Sequence, residues 1–246
     1  MNRSIEDTPI VFIGAGNLAT QLSVSMQRAG YDIMQVYSRT EESASVLAGR
    51  LGCSYVTSLK SVIANADIYV VALKDSALVE LLPQITDGKS EKALFVHTAG
   101  SIPMTIWEGY AGHYGVFYPM QTFSKVRDVD FRTIPVFIEA KQIADLELLK
   151  KIGDTLSETV LEADSEQRRY LHLSAVFVCN FANHMFTVGE RLLQEHHLPF
   201  NVMYPLLKET TEKVLSGINP SEAQTGPAVR YHENVMSKHI QLLSAH

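Results

Sequence analysis

The amino-acid sequence predicts an α/β fold, in which a doubly wound, mostly parallel sheet precedes a smaller all-α domain. Over the first two thirds of the 246 residues, short apolar runs alternate with helical patterns. This alternation is typical of a parallel sheet with helices on both faces. After Ala163 the strand-like runs stop and only helical patterns follow. We therefore predict one domain at 1–163 and a second, helical domain at 164–246.

Each predicted element rests on a short stretch of sequence. The seven strand-like runs are 10–14, 33–37, 67–73, 93–97, 115–119, 134–138 and 158–162, and the helical patterns of the first domain are 18–29, 41–51, 76–82 and 143–156. The second domain should contain a helix over 165–197, capped by Asp164 or Ser165 and closed by Pro199, and further helices at 202–216 and 228–243.

The helix predicted at 165–197 also indicates how the second domain assembles. Its middle is apolar on nearly every side, and such a helix is normally buried. A domain of about 80 residues has little core of its own. We therefore expect this helix to pack against the first domain and against a second subunit, which predicts a homodimer through the C-terminal helices.

The bulk composition excludes several classes of protein. The formal net charge is −6 and no basic stripe is present, so nucleic acid is not an expected partner. The start of the chain, MNRSIEDTPI, lacks the apolar core of a signal peptide, and the longest apolar stretches, near 173–179, fall short of the roughly 20 residues of a membrane span. Cys53 and Cys179 suit free thiols in a reducing compartment. We expect a soluble, cytoplasmic protein that binds no membrane.

A dinucleotide fingerprint follows the first strand. The letters GAGNLA have the form G-x-G-x-x-A, placed directly after a strand and at the start of a helix. Gly14 would permit the tight turn, and Gly16 would let the backbone approach a pyrophosphate at the helix N-terminus. The cofactor contacts predicted here are Gly14, Ala15, Gly16, Asn17 and Leu18. A Rossmann-type domain is therefore expected; a glycine turn without a ligand is the alternative.

The residues after the second strand predict which cofactor binds. An NAD site carries Asp or Glu at this point, but the chain offers Ser38, Arg39 and Thr40, while Asp32 stands at the other end of the strand. A guanidinium can bind a 2′-phosphate in bidentate fashion, and the two hydroxyls are further donors. The sequence thus predicts NADP(H), unless Arg39 is simply a solvated residue before the next helix.

Further motifs resemble known families. GAGNLA, SRT and VVALKDS (70–76) resemble the pyrroline-5-carboxylate reductase and 6-phosphogluconate dehydrogenase superfamily. HTAGS (97–101), YPMQTFS (118–124), YLHLSAVFVCNF (170–181) and TGPAVR (225–230) resemble a family of NADP oxidoreductases that join a Rossmann-like domain to a helical domain of unknown function. The resemblance covers nearly the whole chain and implies a second domain like the C-terminal domain of 6-phosphogluconate dehydrogenase.

The resemblance also implies positions for further cofactor contacts. Ala72, Leu73 and Lys74 would pass beneath the ribose, and His97, Thr98, Ala99 and Gly100 would lie beside the nicotinamide. The chain departs from the family twice. It has Tyr118-Pro119 where the family often has His-Pro, and Tyr231-His232 where the family often has Gly-Asp. A proton donor cannot be carried over at either place.

The candidates for catalysis come mainly from the long helix. His172 and Asn183 are eleven residues apart, close to three turns of an α-helix, so they should share a face, and Asn180 pairs with His184 at i, i+4. His172 is the first candidate for an acid or a substrate contact; packing at the domain interface is its alternative. Asn180, Gln121 with Thr122, and Arg230 could reach the same pocket, or could serve structural roles.

Together these features predict an NADP(H)-dependent oxidoreductase that transfers a hydride between the nicotinamide and a small C=O or C=N substrate. The alternative is a non-catalytic NADP(H)-binding sensor or regulatory protein, which would keep the fingerprint without a proton donor. A dehydrogenase with another small redox cofactor is a third interpretation. No metal site is predicted, because His196-His197 suits a helix end instead.

Overall fold

The computed structural model describes residues 8–227 and 229–243. The chain divides into two compact units, Met1–Asn180 and Phe181–His246. The last strand ends at Glu162 and the next α-helix begins at Ser165, where the sequence predicted the change from strands to helices. The helix that begins at Ser165 belongs to the same compact unit as the sheet, since that unit ends at Asn180. The domain boundary at 163/164 stays a prediction.

An eight-stranded sheet forms the centre of the first unit. Its strands are β1 (Pro9–Ile13), β2 (Asp32–Tyr37), β3 (Ser54–Val56), β4 (Ile68–Val71), β5 (Leu94–His97), β6 (His113–Pro119), β7 (Val136–Ala140) and β8 (Val160–Glu162). The spatial order is β3-β2-β1-β4-β5-β6-β7-β8, and every neighbouring pair is parallel except β6 and β7. The predicted Rossmann-type, mostly parallel sheet is confirmed. The sequence missed β3, because three residues at a sheet edge carry almost no periodic signal.

Helices cover both faces of this sheet. They are α1 (Asn17–Arg28), α2 (Glu41–Leu51), α3 (Asp75–Thr86) and α4 (Ile143–Leu156). Alternate residues of β1 supply the two layers of the core: Ile10 and Phe12 pack with α1, α2 and α4, whereas Val11 and Ile13 pack with α3 and Trp107. All four residues are fully buried, as expected of a strand covered on both sides. Because β1, β2, β4, β5 and β6 are parallel, their carboxyl ends lie side by side at one end of the sheet. This end is called the carboxyl edge of the sheet below.

The helix predicted at 165–197 is interrupted. It consists of α5 (Ser165–Ala175), a π-helical segment (Val176–Phe181) and α6 (Ala182–Glu195). Asp164 caps α5 in a capping box with Gln167. The sequence had suggested either Asp164 or Ser165 as the cap. A π turn holds more residues than an α turn, so it rotates whatever follows it. The inference that His172 and Asn183 share a face assumed an unbroken α-helix and was therefore wrong in its premise.

The predicted burial of this helix does not occur within one chain. Leu173, Phe177, Val178, Phe181 and Met185 are all at least half exposed. By length and composition alone, the 31-residue run Ser165–Glu195 qualifies as a candidate membrane span, because an 18-residue window within it has a mean hydropathy of 1.2; no part of that window is buried. The continuous apolar stretch near 173–179 is short, and the run qualifies only because its hydropathy is averaged over a longer window. The apolar core helix of a soluble protein meets the same criterion.

The described residues of the second unit form helices joined by turns. After α6 come a single 3-10 turn at Phe200–Met203, α7 (Tyr204–Leu215), α8 (Pro220–Ala223) and α9 (Glu233–Leu243). The short α8 falls in a stretch predicted as a loop. The last helix begins at Glu233, later than the predicted start at Ala228, which lies outside the described residues. Residues 229–231 form turns, and Tyr231 has a positive φ of 52°, which is incompatible with a helix there.

Candidate functional site

The turn between β1 and α1 requires one of its two glycines for the fold. Gly14 has a φ of +124°, and a Cβ there would overlap the carbonyl oxygen of Ala72. Its N–H donates to the carbonyl of Tyr37 at 2.8 Å. The chain must therefore pass so close to the ends of β2 and β4 that only glycine fits. Gly14 thus belongs to the framework of the turn.

Gly16 is different, because the fold makes no demand on it. It is exposed, its φ is −77°, and a Cβ would meet no atom within 4 Å. Gly16 is the N-cap of α1, and within the described residues no side chain caps this helix. The first amides of α1 are thus open to an anion, and the absent side chain leaves room for it. The arrangement fits the pyrophosphate of a dinucleotide.

The residues that predicted NADP(H) lie at the same edge. Ser38 to Thr40 follow β2 and precede α2, with Arg39 and Thr40 exposed and Ser38 partly so. The N–H of Ser38 donates to the carbonyl of Val56 at 3.2 Å, which holds the backbone in place. Within the described part of the chain, ion pairs engage Arg28, Arg50, Arg132 and Arg168 but not Arg39. The Arg39 guanidinium is available to a phosphate.

The ends of β4 and β5 complete this edge. The N–H of Ala72 donates to the carbonyl of Ile13 at 2.9 Å, and the N–H of Thr98 donates to Val71 at 3.3 Å. Lys74 is exposed, and Leu73 and Ala99 are partly buried. Ligands of open α/β sheets bind outside the carboxyl ends of the strands. The predicted cofactor residues therefore occupy the edge where such a ligand binds.

His97 corrects one of these assignments. Its ring is fully buried and stacks near Trp107, with 6.3 Å between ring centroids. Nδ1 accepts a hydrogen bond from the N–H of Ala99 at 3.2 Å. Burial, with the nearby charge of Arg168, lowers the pKa of His97 to about 3. The side chain therefore stays neutral and cannot touch a cofactor; it shapes the 98–100 loop from below.

The structure brings His172 to this loop. A Cβ on Gly100 would lie 2.7 Å from Nδ1 of His172, so the imidazole sits directly against the glycine. Tyr118 Oη lies 3.1 Å from the same Nδ1. His172 is partly exposed, whereas Tyr118 is buried at the end of β6. A titratable ring thus stands beside the loop that the family resemblance assigns to the nicotinamide.

Arg168 holds this arrangement and was missed by the sequence analysis. Its side chain is 1% exposed and is ion-paired with Glu139 of β7. It also donates to the carbonyls of Ala99 at 3.3 Å and Ile102 at 2.6 Å. Ser165 donates to Glu139 and accepts from the N–H of Met104. Its neighbour Arg169 is exposed, and no local signal in the sequence distinguishes the buried arginine from the exposed one.

The loop that carries Gln121 and Thr122 is bound to α1. Asn17 Nδ2 donates to the carbonyl of Phe123 at 2.9 Å, and Gln21 Nε2 donates to that of Ser124 at 2.6 Å. The Gln121 carboxamide oxygen accepts from the N–H of Thr122 at 2.8 Å. Both residues are exposed. The structure therefore places them near the start of α1, and among the described contacts none joins Gln121 to His172.

The remaining predicted residues are not brought to His172 by any described contact. Asn180 lies in the π-helical segment and is exposed. Water can therefore satisfy its side-chain amide, and a hydrogen-bond partner within the protein is not required. Asn183 and His184 are exposed on α6, and Arg230 lies in the turn before α9. The roles of Asn180 and Arg230, and the predicted pocket closed by them, stay predictions.

Comparison with known proteins agrees with this geometry. Residues 9–100 match the family "NADP oxidoreductase coenzyme F420-dependent", and residues 134–246 match DUF2520, a domain of unknown function. A provisionally assigned NADP oxidoreductase of Bacteroides fragilis has a solved structure that is 58% identical, with a TM-score of 0.94, over 98% of this chain and 93% of that one. The chain belongs to this family of NADP oxidoreductases, and the predicted cofactor, NADP(H), is the cofactor of the family.

Two more distant relatives are pyrroline-5-carboxylate reductases. A pyrroline-5-carboxylate reductase of Pseudomonas aeruginosa is 28% identical over 105 residues, which are 42% of this chain and 38% of the reductase. The chain thus matches less than half the length of that curated relative. The solved pyrroline-5-carboxylate reductase of Coxiella burnetii is 18% identical, with a TM-score of 0.61, over 96% of this chain and 90% of that one. At that identity the likeness concerns the fold alone.

The contrast between the two glycines is testable. Gly16→Val should leave the melting temperature within a few degrees of wild type but abolish NADPH binding, because a branched side chain occupies the approach to the helix N-terminus. Gly14→Ala should instead destabilise the protein, by about 1–3 kcal/mol, because it strains the turn. Thermal unfolding and fluorescence titration with NADPH measure both. Unchanged NADPH affinity in Gly16→Val would show that this turn has only a structural role.

His97 predicts an acid sensitivity of the fold. Its pKa is about 3 in the folded chain and near 6.5 when unfolded, so the unfolded state takes up the extra proton as the pH falls through this window. Stability should be fully present above about pH 6.5 and then decline, by up to roughly tenfold in the folding equilibrium constant for each pH unit. His97→Phe should reduce that slope in urea unfolding experiments. An equal slope in both proteins between pH 4 and 6 would contradict the assignment.

Proposed function

We propose that the protein is an NADP(H)-dependent oxidoreductase that transfers a hydride between the nicotinamide and a small compound with a C=O or C=N bond. One observation carries the proposal: the partly exposed His172 rests on Gly100, at the sheet edge that also holds the dinucleotide turn. A reduction of this class needs a proton donor near the cofactor, and imidazole is the commonest such group. Sensor function alone gives no reason for that placement.

The chain's own residues provide the fit to the cofactor. The open space at Gly16 and the uncapped start of α1 would accept the pyrophosphate. Arg39, with Ser38 and Thr40, would bind the 2′-phosphate. The 98–100 loop, which is held by His97 and Arg168, would lie beside the nicotinamide. When bound, NADPH supplies the hydride, and the protein supplies position and a proton.

His172 is the proposed proton donor. Gly100 allows the ring to approach the loop, because any side chain there would displace it. The bond from Tyr118 engages Nδ1 and leaves Nε2 for the substrate. The substrate itself is proposed only by class, a small carbonyl or imine compound.

Turnover decides between the enzyme and the sensor. NADPH oxidation should be followed at 340 nm across a panel of keto acids, aldehydes and cyclic imines, with His172→Gln beside the wild type. We expect at least one compound to be reduced, and we expect the variant to be slower by 10²–10⁴-fold, the usual contribution of a general acid. NADPH binding by a protein that turns over no compound of the panel would favour the non-catalytic sensor.

Cofactor choice should depend on Arg39. Arg39→Asp should weaken NADPH binding by roughly 10- to 150-fold, since the loss of a charge-assisted contact costs about 1.5–3 kcal/mol, and should affect NADH much less. Lys92→Asp is a matched control, because Lys92 is exposed and precedes β5 at the other end of the strands. Titration of both cofactors against the three proteins measures the effect. A wild type that prefers NADH would refute the assignment.

We also propose that the protein acts as a cytoplasmic homodimer. The free thiols Cys53 and Cys179 suit a reducing compartment. The exposed apolar side chains along α5, the π-helical segment and α6 would be costly in water, and a second copy of the same surface would remove them from it. A membrane surface could cover the same apolar side chains, and an experiment can distinguish it from a second copy of the chain.

The dimer has its own test. Light scattering at micromolar concentration should report about twice the chain mass of 27.4 kDa. Val178→Asp should raise the dimer dissociation constant by about 100-fold or more, because it places a charge in an apolar interface. Val46→Asp is the matched control, because Val46 on α2 is 67% exposed and Val178 is 71% exposed. A monomeric wild-type protein, or a wild-type protein that co-sediments with added lipid vesicles, would contradict the proposal.

A further inference from the structure

Tyr118 is held rigidly where it meets His172. It is the penultimate residue of β6, is 8% exposed, and pairs in register with Phe137 of the antiparallel strand β7. Its ring also approaches that of His172 edge-on, with centroids 6.2 Å apart and an interplanar angle of 67°. The strand fixes the tyrosine backbone, and Phe137 restricts its ring. The hydroxyl therefore has a fixed direction toward α5.

The roles of the two atoms in this hydrogen bond follow from the partners they have. Nδ1 of His172, at 3.1 Å, is the acceptor that the described residues offer to the Tyr118 hydroxyl. A buried hydroxyl that leaves its hydrogen without an acceptor loses free energy. This favours Tyr118 as the donor and Nδ1 as the acceptor. In neutral His172 the proton must then be on Nε2.

We propose that Tyr118 keeps His172 in the Nε2–H tautomer and replaces the proton that leaves Nε2. The second half of this proposal rests on the reduction proposed above. As the substrate oxygen or nitrogen gains its proton, the Nε2–H bond breaks, the Tyr118 O–H bond breaks and an Nδ1–H bond forms. The products are the protonated substrate, neutral His172 with its proton on Nδ1, and the tyrosinate of Tyr118. The resting state returns when Nε2 takes a proton from solvent and Nδ1 gives its proton back to Tyr118.

The direction of proton flow is favourable. Burial raises the pKa of Tyr118 above its usual value, and the positive charge of Arg168 opposes that effect. The ordinary pKa of tyrosine is about 10, and that of water, a guide to an alkoxide, is about 15.7. An alkoxide formed by hydride addition is therefore more basic than the tyrosinate. The proton moves downhill from Tyr118 through the imidazole.

The two groups of this relay come from different elements of the fold. Here Pro119 ends β6, and Tyr118 directs a hydroxyl to an imidazole that α5 supplies. The acidic group at this edge is thus shared between two elements of the fold. Tyr118 is a positioning residue, because it acts through His172.

The tautomer can be measured without any substrate or cofactor. Long-range ¹H–¹⁵N spectra of ¹⁵N-histidine-labelled protein separate protonated from unprotonated ring nitrogens, and the His172→Gln spectrum assigns the His172 signals. At a pH where His172 is neutral, we expect Nε2 to be protonated in the wild type. Tyr118→Phe should move both His172 nitrogen shifts toward a mixture of tautomers.

Tyr114→Phe is the matched control, because Tyr114 is buried on the same strand and contacts Lys141 rather than His172. It should leave the His172 nitrogen shifts unchanged. An Nδ1–H tautomer in the wild type, or identical shifts in Tyr118→Phe, would overturn the proposal. NADPH titration and thermal unfolding of each variant establish that it is folded.

The relay is tested with a compound that the substrate panel identifies. Tyr118→Phe should slow single-turnover NADPH oxidation by about 100-fold and leave the Kd for NADPH unchanged. Tyr118→His, which restores an N–H donor, should recover part of the rate, and Tyr114→Phe should match the wild type. A Tyr118→Phe protein as fast as wild type would refute the relay while the oxidoreductase stands. A confirmed tautomer in a protein that reduces no compound would refute the relay together with the proposed function, but not the positioning of His172.

Discussion

The buried guanidinium of Arg168 is the contact on which the candidate site depends. It joins three parts of the chain that are far apart in sequence: α5, which carries it, the loop after β5, and Glu139 on β7. A charge in the interior is tolerated only when it is paired and its donors are used. Here two backbone carbonyls, a serine hydroxyl and a carboxylate meet that requirement. If one partner of such a pair is removed, roughly 3–5 kcal/mol is lost, because the other charge stays buried.

This network explains why His172 has a defined place. Arg168 lies one turn before His172 on α5, so fixing the guanidinium fixes the imidazole four residues later. The same guanidinium holds the carbonyl of Ala99, next to the glycine on which His172 rests. The loop and the helix are thus held to each other by one side chain. The antiparallel strand β7 is essential to this, because it brings Glu139 under the N-terminal part of α5.

Much of the fold and half of the candidate site could be predicted because their signals are local. Each strand that was predicted appears in the sheet. The central strands are buried on both faces and are therefore continuous apolar runs. The turn at Gly14 to Gly16 could be predicted from the spacing of its glycines. The interruption of the long helix at Val176–Phe181 had no such signal, and the phase argument for His172 and Asn183 failed there. The role of His172 stays a proposal, which now rests on its contacts with Gly100 and Tyr118 and not on helix phase.

The amino-acid sequence by itself predicted the layered sheet, the glycine turn after β1 and NADP(H) as the cofactor, because each prediction depends on residues close together in the chain. Tertiary structure alone decided three matters: that His97 is a buried, neutral support and not a cofactor contact, that Arg168 and not its neighbour Arg169 is internal, and that Tyr118 meets His172. The physical reason is the same in each case. Hydrogen bonds and desolvation depend on distances in space. The Tyr118–His172 and Arg168–Ala99 pairs are 54 and 69 residues apart along the chain, and the burial of His97 depends on the elements packed around it.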